Sequence, residues 1–127
     1  MKEYFVSYEL ALKLKEKGFR EHVKGHYKSK CQLSVCSEPL NCNGVDNGDI
    51  SAPQIHEVAT WLRKEKHLHI EAISASYGYV YIISRTPDQG GTDLHCSEYE
   101  GTNDGGAWDD VKDCYVAAIE YCLNELI

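Results

Sequence analysis

The chain has 127 residues, a formal net charge of −7, and 43% hydrophobic and 26% charged side chains. That length suits a single domain (1–127) with a real core, and the composition excludes a disordered or fibrous chain. Charge is sorted along it: the first thirty residues hold eight bases against four acids, whereas from Glu71 onward eleven carboxylates face only Arg85 and Lys112.

Ser7 is placed to cap a first helix, about Tyr8 to Lys17, with Leu10, Ala11 and Leu14 as its apolar stripe. Gly18 stands where a left-handed residue ends a helix, and Phe19 falls where it can touch Leu14. Strict alternation over Tyr27 to Val35 predicts one strand, with Lys28, Lys30, Gln32 and Ser34 wet and Leu33 and Val35 in the core. Residues 37–49 are a loop rich in Asn, Gly and Asp. Ser51-Ala52-Pro53-Gln54 reads as a capping box with proline in the first turn, and Ile50 can staple onto Ile55. The helix it opens carries Ile55, Val58, Ala59 and Leu62 on one face, ends its last turn on Arg63, Lys64 and Lys66, and stops near His67.

Leu68 to Ser76 and Tyr79 to Ser84 are β-prone runs joined by Tyr77-Gly78, a tight hairpin. The connection over 86–106 is long for a compact domain, which predicts a short edge strand near Leu94 to Tyr99 or a functional loop. A last helix runs from about Trp108 to the C-terminus, with Val111, Tyr115, Ala118, Ile119, Cys122, Leu123 and Leu126 at helical spacing and Asp109, Asp110 and Asp113 in its positive first turn. The order α-β-α-β-β-α predicts an α+β two-layer domain, an antiparallel sheet of three or four strands with helices mainly on one face. Ile55, Val58, Leu62, Val111, Tyr115, Ile119 and Leu123 would share a core with the Leu33/Val35 strand face.

The start of the sequence lacks the basic and apolar regions of a signal peptide, and no run approaches the roughly 20 apolar residues of a membrane span, so the expected address is cytoplasmic. The six cysteines are then expected reduced. His56-Glu57-Val58-Ala59-Thr60 starts a zinc-protease motif but places Thr60 where the second histidine belongs. Cys31, Cys36, Cys42, His95 and Cys96 would suffice for tetrahedral zinc, but no second ligand pair follows at knuckle spacing, and Cys31 and Cys36 fall on opposite faces of one continuous strand. Asn41 to Asp49 satisfies no register of a calcium loop. The expectation is therefore no metal, no cofactor and no catalytic residue.

One feature that packing does not absorb is the aromatic repeat Tyr77, Tyr79, Tyr81. With helices on the Val80/Ile82 side, these rings would form a partly exposed platform of the kind that interfaces favour. Together with Lys28 and Lys30 they are the candidate binding residues.

Ser7 to Phe19, Ala52-Pro53 followed by Val58 and Trp61 to His67, and the closing Ala118 to Leu123 resemble a group of short uncharacterised proteins of gut-bacterial genomes and their phages or mobile elements. The resemblance spans nearly the whole chain and implies a stand-alone cytosolic bacterial or phage protein. It carries no catalytic residues, and the segment Cys31 to Cys42 lies outside it. The first functional reading is a non-enzymatic interaction module that binds another protein or a second copy of itself as a dimer. The alternatives are a small hydrolase or metal-dependent enzyme using His95, Cys96 and nearby acids, and nucleic-acid binding by the basic N-terminal third through Lys24, Lys28 and Lys30 with Tyr27 and the tyrosine platform, which the net charge opposes. No membrane partner is expected.

Overall fold

The structure, a computed structural model, describes residues 4–30, 32–44 and 48–127. Its helices and strands follow in the order α1 (Tyr8–Glu16), β1 (Val23–Ser29), β2 (Gln32–Leu40), β3 (Ile50–Ser51), α2 (Ile55–Glu65), β4 (Leu68–Ala75), β5 (Gly78–Arg85), β6 (Asp93–Cys96) and α3 (Val111–Tyr121). The α+β class agrees with the sequence reading. The strands, however, form two antiparallel three-stranded sheets, ordered β2-β1-β3 and β4-β5-β6, where one sheet was expected. The chain gathers into two compact units, Met1–Val58 and Ala59–Ile127, with the boundary inside α2.

In the first unit α1 forms as its end signals predict. Ser7 Oγ accepts the Leu10 N–H at 3.2 Å, Leu10, Ala11 and Leu14 are buried, and the Phe19 N–H closes the helix on Leu14 O at 3.0 Å. The predicted strand Tyr27 to Val35 is instead a hairpin: β1 ends at Ser29, β2 begins at Gln32, and the two pair across Ser29↔Gln32 and His26↔Ser34. Alternation in the sequence continues through such a reversal, and no Gly, Asn or Pro stands between Ser29 and Gln32 to announce it. Cys31 itself lies outside the described residues, as do Val45, Asp46 and Asn47 of the predicted loop. With the fold-back, Val35 is 55% exposed and Leu33 half-buried, so that face is not the core. The core of this unit is Phe5, Val6, Leu10, Leu14, Phe19, Val23 and Ile50. Gly25 is required there, because a Cβ would stand 2.4 Å from Ala52 O and 2.7 Å from the Phe5 ring.

The start of α2 lies later than expected. Ser51 does not cap it; Ser51 is buried in β3, where its N–H donates to Asn43 Oδ1 at 3.0 Å and its Oγ accepts the Asn43 N–H at 3.2 Å. Glu57 does the capping, its carboxylate accepting the Gln54 N–H at 2.7 Å from three residues into the helix. At the other end His67 takes the left-handed conformation (φ 57°) that stops the chain where the sequence indicated.

In the second unit the Tyr77-Gly78 hairpin pairs β4 and β5 without a slip from Leu68↔Arg85 to Ala75↔Gly78. The expected edge strand exists as β6, and Trp108 extends the same edge by bridging Tyr79, with N–H···O bonds of 2.7 and 3.0 Å in the two directions. That bridge is why α3 begins only at Val111, capped by Asp110 Oδ1 at 2.8 Å from the Lys112 N–H, and not at Trp108. Helix α3 packs on β4 and β5 with Cys114, Ala118 and Ile119 buried, and the π-helical turn Cys122–Leu126 that continues it buries Cys122 and Leu123, while Val111 is 40% exposed and Tyr115 half-buried. Val111 keeps helical spacing with Cys114 and Ala118, but it stands at the first position of α3 and is not covered there.

The sheet presents to α3 the face opposite to the one expected. Tyr81 (2% exposed) and Ile83 are buried with Leu68 and Ile70, and Val80 and Ile82 are only half-buried. Alternation made the two faces distinct but did not say which one a helix would cover.

Candidate functional site

The three tyrosines of the repeat part company. Tyr77 sits in the β4–β5 turn and is 47% exposed, Tyr79 is half-buried and held by the Trp108 bridge, and Tyr81 is buried. Lys28 and Lys30 belong to the first unit, where both are exposed and Lys30 lies 3.9 Å from Glu9. Tyr27 is engaged within that unit, its hydroxyl donating to Val6 O at 2.8 Å and its ring edge-on to Tyr8. A stacking platform of Tyr27 with free lysines is not what these contacts build.

What the structure assembles instead, in the second unit, is a row of rings. Trp108 lies 5.7 Å from Tyr81, Tyr81 lies 5.9 Å from His95, and His95 stacks flat on Tyr121 at 3.8 Å and 5°. Each ring is positioned by a different element. Tyr81 comes from β5, its backbone fixed to buried Ser97 by Tyr81 N–H···Oγ at 2.8 Å and Ser97 N–H···O at 3.0 Å. His95 comes from β6, Trp108 from the edge bridge and Tyr121 from the last turn of α3.

Tyr81, Trp108 and Tyr121 line a pocket of about 280 Å³ whose other walls include Glu100, Glu120 and Glu125. Glu100 is engaged by His95 Nε2, 2.9 Å from one carboxylate oxygen and 3.1 Å from the other. Glu120 and Glu125 are exposed and have no ion-pair partner among the described residues. Burial pushes the Tyr81 phenol up, and the charge of Glu100 adds to this, so the hydroxyl stays neutral. The pocket thus joins π faces to carboxylates and includes no lysine or arginine in its lining. A cation suits it on both counts.

A second concavity, about 520 Å³, lies beside Tyr77, Asp104 and Asp109. Its Asn103 amide is fully engaged, donating to Tyr77 O and Asp109 Oδ1 and accepting the N–H groups of Gly105 and Ala107. It acts as the brace of the 97–108 loop and leaves no free amide for a ligand.

The nucleophile reading of His95 and Cys96 finds no pairing. Neighbours on a strand alternate, so Cys96 is exposed on the face opposite His95, and the imidazole is committed to Glu100 and Tyr121. The histidine that meets a thiol is His26, 3.6 Å from Cys36 Sγ, a pair that reading β1 and β2 as one strand concealed. Among the described residues no three His, Cys, Asp or Glu side chains are gathered tightly enough to hold a metal as they stand. No helix among them is long and apolar enough to cross a membrane. No protein-family model, curated protein or solved structure matches the chain.

Proposed function

We propose that this chain is a non-enzymatic interaction module whose second unit receives a basic side chain of a partner protein. The observation that carries the reading is the pocket of Tyr81, Trp108 and Tyr121 rimmed by Glu100, Glu120 and Glu125. The charge of the unit supports it: Ala59–Ile127 holds twelve acids and five bases, whereas Met1–Val58 holds eight of each, so the whole net charge of −7 belongs to the unit with the pocket. A field of that sign steers cationic partners inward and repels nucleic acid. Aromatic walls then add cation–π attraction of about 0.5–2 kcal/mol once the charge is desolvated. A second copy of the chain, presenting Lys28 or Lys30, is one partner of this chemistry, and it is the form in which the dimer expected from the sequence would arise. The cytosolic, bacterial or phage setting rests on the sequence resemblance alone.

The test is a titration followed by Trp108 fluorescence and amide chemical shifts, with N-acetyl-lysine amide, N-acetyl-arginine amide and a neutral norleucine analogue. Binding of the two cations and not the neutral compound, weakened by salt and by Tyr121→Ala, is the expected result. Equal response to all three, or binding that survives Tyr121→Ala together with Glu120→Gln and Glu125→Gln, removes the proposal. Sedimentation at low and high salt, with Lys28→Glu and Lys30→Glu, decides whether the partner is a second copy.

A further inference from the structure

The antiparallel hairpin of the first unit brings together residues that the sequence separates. His26 opposes Ser34, and Cys36, two residues beyond Ser34, is its diagonal neighbour on the same face. Cys36 Sγ stands 3.6 Å from His26 Nδ1, a thiol–imidazole hydrogen bond. On the other side of the ring Asp49 Oδ2 lies 3.8 Å from Nε2. The three side chains differ in exposure: that of His26 is 8% exposed and that of Asp49 24%, and Cys36 is half-buried on an outer strand of its sheet. A ring that solvent hardly reaches thus stands between a carboxylate and a thiol that solvent does reach.

We infer that Cys36 is a nucleophilic thiol that exchanges with small disulfides, with His26 as its general base and Asp49 as the residue that positions His26. The carboxylate beside Nε2 favours the ring proton on that nitrogen, which leaves the Nδ1 lone pair to accept the S–H of Cys36. As Sγ attacks one sulfur of the disulfide, the thiol proton passes to Nδ1, and the Asp49 carboxylate stabilises the imidazolium that forms. A new S–S bond joins Cys36 to the attacked sulfur, the old S–S bond breaks, and the departing thiolate takes the proton from His26 Nδ1. One thiol is consumed for each one released, so no further oxidant or reductant enters. Attack at sulfur needs a thiol, a base and a path of approach, all of which stand here, whereas attack at a carbonyl needs oxyanion donors as well. Cys42 is not the attacking group: it is buried, and that burial together with the charges of Asp49 and Cys36 pushes its thiol up and keeps its proton in place. The reaction belongs wholly to the first unit and does not draw on the cation pocket of the second.

The test treats the intact, reduced chain with hydroxyethyl disulfide, a small neutral reagent, and maps the mixed disulfides by mass spectrometry against time and pH. Cys96 is the internal reference for an accessible thiol without a base, since it is exposed and its neighbour His95 is committed to Glu100. The expected result is that Cys36 is modified at least about tenfold faster than Cys96 near neutral pH, although it is the less exposed of the two. Its rate should rise with the deprotonation of one imidazole and then level, whereas that of an unassisted thiol climbs steadily toward about pH 8.5. His26→Gln should lower the Cys36 rate to that of Cys96 or below. Asp49→Asn should move the acid limb of the Cys36 profile to lower pH, because the imidazolium loses the carboxylate beside it; a merely structural role would leave that limb in place. The rates and profiles of the unaltered chain need no variant, so they decide the matter even if a substitution at the buried ring prevents folding. A Cys36 rate no greater than that of Cys96, a Cys36 profile parallel to that of Cys96, or an unchanged rate in folded His26→Gln overturns the proposal.

Discussion

The two units solve the problem of a small core differently. The first balances eight acids with eight bases, builds its sheet from one hairpin and a two-residue strand, and buries an imidazole beside one cysteine and a carboxylate. The second carries all of the net charge, pairs β4 and β5 over their full length, and covers them with a helix that buries Cys114, Ala118 and Ile119. The large rings collect at the end of that helix, where Tyr121 stacks on His95 and His95 in turn lies against Tyr81. The buried polar contact of the first unit thus lies within its sheet, between β1 and β2, whereas the rings of the second gather at the end of α3.

The strongest way to break this comparison is to cut each core separately. Leu14→Ala in the first unit and Ile119→Ala in the second, both fully buried, should each cost about 2–5 kcal/mol. Hydrogen exchange should show protection lost first in the unit that carries the change. Equal loss throughout the chain in both variants would mean that the units are not separately cooperative. Gly25→Ala should be nearly as severe, about 1–3 kcal/mol, since the new Cβ meets a backbone carbonyl and the Phe5 ring in the first unit. An unchanged denaturation midpoint would remove the close approach of β1 to Ala52.

Alkali sharpens the contrast from the other side. Burial pushes the Cys114 thiol up to about 11 and the Cys122 thiol up to about 12, from an ordinary 9.0. An unfolded chain releases these protons above about pH 9 while the folded unit retains them. Stability is therefore full below that pH and falls as pH rises through the folded values, by up to about 1.4 kcal/mol per pH unit for each thiol. Urea melts at pH 8 and pH 10.5 should show this loss, reduced in a Cys114→Ala, Cys122→Ala variant; a loss of the same size in that variant would assign it elsewhere. The smallest effect on folding is expected at the pocket rim. Glu120→Gln with Glu125→Gln should change stability by no more than about 0.5 kcal/mol while abolishing the salt dependence of cation binding. Large destabilisation would make those carboxylates structural.

Local signals read well from the chain. Ser7, Gly18 and Phe19 mark α1, and Tyr77-Gly78 marks the β4–β5 turn, because each acts within a few residues of itself. Ser51 misled for the same reason: its spacing fits a cap, but Asn43, eight residues away, provides it with two hydrogen bonds and moves the capping to Glu57. Of the candidate binding residues only Tyr81 reaches the pocket, and it does so from the covered face. The partners that complete the pocket, Glu100, Trp108 and Tyr121, carry no shared spacing that could have announced them.

Taken alone, the sequence determines the helix and strand periods, the sorted charge, and the places where the chain turns on glycine or stops on a cap. These follow from torsional preference and short-range hydrogen bonding, which each residue carries with it. Tertiary structure decided that the Tyr27–Val35 run folds back so that His26 meets Cys36, and that α3 covers the Tyr81 side of the sheet and not the Val80 side. Both choices depend on which distant surface arrives to bury a face, and alternation is equally satisfied by either answer.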